Sequence, residues 1–257
     1  MAKVPPGLSN QPDLKKDRPS PPAPPYLILV LTPKKLTTVL VLVVSCLIAA
    51  HVTSQYLKFF HDHDSQLGFA RLLNLDRENN IPTWYSSSAL LLSAILLAVI
   101  GLSNKREGNL YAFHWLGLAA IFLYLSLDEA AGLHEQMGIL LKPMQEATGY
   151  IHGVFLYDPW LIVGVMFVLI VALSYLRFLA ALSVKIRSLF LLAGTLYIGG
   201  ALGTETLGNR RVYLDGYEDF TYAMFVACEE GLEMLGVVVF IYALLSHLGA
   251  SVHTARI

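Results

Sequence analysis

Asp128, Glu129, His134 and Glu135 stand close together at the end of an apolar run that begins near Tyr111. A second apolar run carries Glu229, Glu230 and Glu233, and a third carries Glu205. A carboxylate at the centre of a bilayer costs roughly 2.5–3.5 kcal/mol on insertion scales, so such residues face a bundle interior or wet cavity and mark function. On a helix Glu229, Glu230 and Glu233 fall within an arc of about 100°. Like charges so close in a low dielectric require bound protons or a cation among them.

Two chemistries follow from that set, and a third reading needs none. In the first, carboxylates and one imidazole on facing helices bind a divalent metal. Oxygen-rich shells with little histidine suit manganese, iron or zinc. This assigns Glu129, His134, Glu230 and Glu233 as ligands, with Asp128 or Glu205 as general base toward a metal-activated water. The substrate would be a lipid or other small amphiphile reached from the outer leaflet. The Glu-x-x-His spacing of soluble di-iron bundles is absent, since His134 follows Glu129 by five positions. In the second reading the carboxylates form a proton or cation relay for a coupled transporter. In the third they are protonated groups of a non-catalytic scaffold or sensor. The residues alone leave open whether the chain is an enzyme.

If one helix runs on through Glu135, Asp128 and Glu135 share a face, with His114 on the same stripe. That helix is expected to continue to Leu141 and stop at Pro143. Glu135 and Glu229 are then expected at the rim of the site.

The elements that must position these groups are membrane helices. Of 257 residues 55% are hydrophobic and 14% charged, and several runs approach the ~20 apolar residues that cross a bilayer. The fold class is all-α: a polytopic bundle of six transmembrane helices behind a disordered N-terminal tail. The spans run over about 36–57, 83–103, 111–135, 159–179, 188–207 and 221–245. Residues 1–34, with nine of the twelve prolines, form a Pro-rich cytoplasmic tail that cannot build a core. Residues 35–247 form the membrane domain, and 248–257 a short cytoplasmic tail. In the fifth span Gly199, Gly200, Gly203, Thr204 and Gly208 permit close helix approach, and the glycines there are the nearest candidate for a break.

The net charge of −1 and the lack of a basic patch predict no nucleic-acid partner; membrane lipids are the expected surroundings. Cys46 and Cys228 give no disulfide framework or zinc motif and are expected as small packing residues. The loop His61-Asp62-His63-Asp64 is expected to be solvated surface.

The outline is similar to that of intramembrane zinc hydrolases such as alkaline ceramidases and adiponectin receptors, with Ser126, Asp128 and His134 near one end of a span. Glutamates stand where that family places paired histidines on a late span, and no function is carried over. The alternation of six spans divides the 18 Lys and Arg twelve to six, which predicts a cell-membrane protein with both termini cytoplasmic. His51, Ser86–Ser88, Asp128, Glu129, His134, Glu205, Glu229 and Glu230 then converge at one end of the bundle, with Glu233 deeper.

Overall fold

The computed structural model describes residues 32–61, 68–147, 159–215 and 219–254. The expected disordered tail up to residue 31, the His-x-His loop at 62–64, Asp158 and the last three residues lie outside the described residues. For Glu135 and Glu205 only the backbone is described. The described residues form helices and no strand.

In chain order the helices are α1 (Pro33–His61), α2 (Gly68–Leu72), α3 (Ile81–Arg106), α4 (Ala112–Ala131), α5 (Leu133–Ala147), α6 (Pro159–Ala181), α7 (Val184–Ile198), α8 (Glu205–Asp215) and α9 (Phe220–Thr254). A π-helical segment, Gly199–Thr204, joins α7 to α8. Among the described residues five stretches are long and apolar enough to cross a membrane: Pro33–His61, Ile81–Arg106, Leu161–Ala181, Val184–Val212 and Phe220–Ala250. The chain is an all-α membrane protein. α4 falls outside the five, because His114, Asp128 and Glu129 dilute its apolar run.

α9 is the central helix, packed against α1, α3, α7 and the π segment. Its contacts with α7 are made at backbone distance. A Cβ on Gly236 would sit 2.9 Å from both the Ala193 carbonyl oxygen and the Tyr197 nitrogen. One on Gly200 would sit 2.7 Å from the Glu229 carbonyl oxygen. Glycine is therefore required at both positions by space, since no flexible side-chain end is there to move aside.

Aromatic residues close the end of the bundle remote from the carboxylates. Trp115, Phe178, Phe190 and Phe240 belong to one buried cluster. His114 stacks on Phe178 at 5.6 Å between centroids, so it serves packing at the opposite end. His51 is also structural. It is fully buried, accepts the Leu75 amide on Nδ1 at 3.0 Å, and its Nε2 lies 3.2 Å from the Ala223 carbonyl. That bond pair fixes the ring tautomer and ties α1 to the 73–80 loop and to α9.

Three expectations are overturned. The helix expected to run through Glu135 ends at Ala131, because Gly132 takes a left-handed φ of 58° and caps it by donating to the Asp128 carbonyl at 2.8 Å. The one-face argument for Asp128 and Glu135 lapses with that break. Pro143 does not stop the next helix but lies inside α5. Cys46 and Cys228 are not packing residues; both are exposed on helix surfaces.

The start of α9 carries a titratable anchor. The Asp219 carboxylate accepts the Tyr222 amide at 2.8 Å and Arg211 Nη2 at 3.0 Å. The Tyr222 amide bond above all holds its carboxyl below the usual range; desolvation opposes it, and the hydrogen bond and charge of Arg211 add to the lowering. A depressed carboxylate contributes stability above its unfolded pKa and loses it as pH falls through the folded value. Thermal unfolding followed between about pH 3 and 7 should show this anchor lost only at the acid end. Asp219→Asn, which keeps the cap and drops the ion pair, should unfold at a higher temperature than Asp219→Ala at neutral pH.

Candidate functional site

The turn at Gly132 builds the site. By ending α4 at Ala131, it brings His134 against Asp128. One Asp128 oxygen accepts the His134 amide at 2.8 Å, and the other lies 3.0 Å from His134 Nδ1. The Asp128 side chain is 16% exposed and that of His134 35%, so the carboxylate lies beneath and the imidazole faces outward from it. Gly132 also admits Glu78 of the 73–80 loop: a Cβ on Gly132 would lie 2.6 Å from a Glu78 carboxylate oxygen.

The loop carrying Glu78 is held by α3. Asn80 caps that helix by accepting the Thr83 amide at 3.0 Å, and Asp76 accepts the Tyr222 hydroxyl of α9 at 2.9 Å. Ser87 and Ser126 exchange side-chain to carbonyl hydrogen bonds, each 2.8 Å, which join α3 to α4 two residues before Asp128. The ends of α3, α4 and α9 and the start of α5 are therefore fixed to one another around the carboxylates.

These groups open onto a cavity of about 1130 Å³ between α4, α6, α7 and α9. Asp128, Glu129, His134, Glu229, Glu230 and Glu233 line it, with Asp76, Arg77 and Glu78 from the loop. Most of the rest of its described wall is apolar, including Phe122 and Leu125 of α4, Phe167 and Val171 of α6, and Leu191 of α7. A second void of about 10 Å³ lies between Glu129, Glu233, Tyr197, Tyr85 and Ser86. Carboxylates from α4 and α9 thus meet across a space near the size of one water molecule.

Of the six residues singled out from the sequence, five line this cavity: Asp128, Glu129, His134, Glu230 and Glu233. Glu205 begins α8 immediately after the π segment, and its side chain lies outside the described residues. Glu229, expected at the rim, is also on the cavity wall. Arg211 pairs with Asp219 at 3.0 Å. Among the described residues no three His, Cys, Asp or Glu side chains form a group ready to hold a metal ion.

Sequence reasoning missed Glu78, Asp76, Tyr197 and Tyr222. Glu78 and Asp76 read as ordinary loop charges, and only the left-handed turn at Gly132 shows why Glu78 reaches the site. Tyr197 lies within electrostatic reach of Glu233, Glu129, Glu230 and Asp128. Its position just before the glycines 199 and 200 was the available signal.

Fold and site together define a polytopic helical membrane protein with a cavity that carries acidic residues and a histidine toward one end and reaches the aromatic cluster at the other. The chain matches the family described as Domain of unknown function (DUF8692) over residues 38–248 and belongs to it. No curated protein and no solved structure matches it.

Proposed function

We propose that this protein is a membrane enzyme that takes an amphiphile into the cavity, apolar chain against α4, α6 and α7, and acts on its polar end at His134. The observation that carries the reading is one cavity with an apolar body and the Asp128–His134 pair at its polar end. Pockets of roughly 300–1,000 Å³ with few convergent polar groups bind small ligands, and this one has room for a chain as well as a head.

Asp128 has both oxygens committed to His134, so the general-base role moves from Asp128 to His134 Nε2, with Asp128 holding the ring. Glu205 remains a candidate base from the π-segment side. His134 would take a proton from water or from the head group and return it to the leaving atom. Glu129, Glu230 and Glu233 would stabilise the imidazolium formed.

A bound manganese, iron or zinc ion fits the same site as a second reading, favoured by one observation. Metal-binding histidines commonly give their other ring nitrogen to a carboxylate, as His134 does to Asp128. Glu129, Glu230 and Glu233 would be the remaining ligands after side-chain rotation. Metal near stoichiometric amount in purified protein, lost in Glu233→Ala and His134→Ala, is the result expected of that reading; metal-free protein that retains activity contradicts it. The π segment within the apolar stretch Val184–Val212 favours a coupled transporter instead, since it interrupts a span beside Glu229 and Glu233.

For topology, α4 crosses with the five apolar stretches, both termini are cytoplasmic and the site faces the outer leaflet. The basic-residue bias supports this placement. Reporter fusions at Gly108 and Lys185 should both report the cytoplasm; the opposite result reverses the side on which the site opens.

Lipid profiling tests the activity. Cells lacking the protein should accumulate one amphiphile class, cured by the wild-type chain and not by His134→Ala. Full rescue by His134→Ala would exclude His134 from the reaction.

A further inference from the structure

The cavity has a floor. The four helices that wall it, α4, α6, α7 and α9, each place an aromatic ring at the end remote from His134: Trp115, Phe178, Phe190 and Phe240. Between ring centroids, Phe178 meets Trp115 edge-on at 5.0 Å, Trp115 meets Phe190 edge-on at 5.9 Å, and Phe190 meets Phe240 at 4.7 Å. Phe178, Phe190 and Phe240 border the cavity and are nonetheless buried, as is Trp115 behind them. Among the described residues, then, an apolar chain entering from His134 runs into close-packed rings supplied by all four walls.

The depth above that floor follows from helix rise. Tyr197 and Phe190 stand seven residues apart on α7, and Glu233 and Phe240 seven apart on α9; all four border the cavity. Seven residues of α-helix advance about 10.5 Å. On α4 the described wall continues to Leu118, eleven residues from Glu129, which is about 16 Å. An extended chain advances ~3.5 Å for every three bonds, so this depth holds roughly nine bonds on the α7–α9 side and roughly fourteen on the α4 side. Gly194 keeps the space open one turn above Phe190. It lines the cavity, has no positive φ, and a Cβ there would meet nothing within 4 Å. Neither backbone geometry nor helix packing requires a glycine there, and in mid-helix it weakens the helix. Its missing side chain leaves the chamber wide.

We infer that the cavity selects amphiphiles by the length of the apolar chain, with Phe178, Phe190 and Phe240 as the stop and Gly194 holding open the space above it. This rests on the amphiphile reading above and gives it a size class: chains near dodecyl fit between His134 and the rings, and eicosyl chains do not. A longer chain has to push into a packed aromatic cluster or leave methylenes beside the polar groups at the other end, and both cost binding.

The test uses the full chain in nanodiscs of neutral phosphatidylcholine and alkyl maltosides with octyl, dodecyl and eicosyl chains. Bound maltoside is counted against empty discs at the same mole fraction in the lipid, which removes the rise of partitioning with chain length. Octyl and dodecyl maltoside should reach half occupancy at similar mole fractions, and eicosyl maltoside should need roughly tenfold more. Gly194→Leu fills the chamber without meeting packed neighbours, so it should weaken dodecyl binding roughly tenfold and octyl binding less. Val171→Phe, on the α6 wall, should do the same if the first variant fails to fold. Eicosyl binding within roughly twofold of dodecyl, or a length profile unchanged in the folded variant, would overturn selection by length while leaving the amphiphile cavity standing. No binding of any chain above empty discs would overturn both.

Discussion

His134→Ala should reduce turnover by ~10²–10⁴-fold, the range for removal of a positioned acid–base group, with little change in thermal stability. The ring is the partly exposed member of the pair, so its removal opens no cavity in the buried core. Asp128→Asn should also reduce turnover by more than ~10-fold, because an amide can turn its donor toward Nδ1 and fix the wrong tautomer. The two effects should not add: once His134 is gone, changing Asp128 has little left to act through. Rates of the single and double variants, measured on the amphiphile class found by lipid profiling, check this. Additive losses would mean that Asp128 works on its own.

The second large effect is structural. Gly236→Val should destabilise the protein by about 1–3 kcal/mol or more, the usual range for an overpacked core. Its Cβ meets backbone atoms of Ala193 and Tyr197 at 2.9 Å, so two helices must separate to admit the side chain. Tyr197 would move with α7, and the void between Glu129 and Glu233 would open. Gly200→Leu should act in the same direction through the Glu229 carbonyl. Gly194, on the same helix α7, meets nothing within 4 Å, so Gly194→Ala should leave stability unchanged or raise it slightly. Thermal unfolding in detergent separates the two classes; equal melting temperatures for Gly194→Ala and Gly236→Val would refute the close-packed α7–α9 interface.

Much of the fold was legible because apolar runs and their polar interruptions are local properties of a chain. Glu229, Glu230 and Glu233 could be assigned to one side of a helix, since α9 runs unbroken through them. Asp128 and His134 could not be placed correctly in the same way. Their contact depends on one backbone angle at Gly132, and a glycine inside a helical pattern is compatible with either continuation or a cap. A helix continuing through Glu135 turns His134 off the face of Asp128, whereas the turn at Gly132 brings it onto that carboxylate. Pro143 shows the converse, a breaker residue that its surroundings tolerate inside α5. His51 looked like part of the site by its level in the membrane, and only its bonds to Leu75 and Ala223 show it to be a tie between elements. Glu78 was hidden because a loop charge acquires its meaning from what the loop folds over.

Photolabelling of the full chain in neutral-lipid nanodiscs tests most directly whether the cavity is an amphiphile site. A probe with its photoreactive group in the alkyl chain should label cavity residues such as Phe122, Phe167, Val171 and Leu191, and excess unlabelled amphiphile of the same chain should suppress that labelling. Labelling of lipid-facing residues such as Leu42 and Ile95, exposed on α1 and α3, should persist under competition. Labelling confined to those outer residues, or cavity labelling that the competitor leaves unchanged, would contradict amphiphile binding in the cavity.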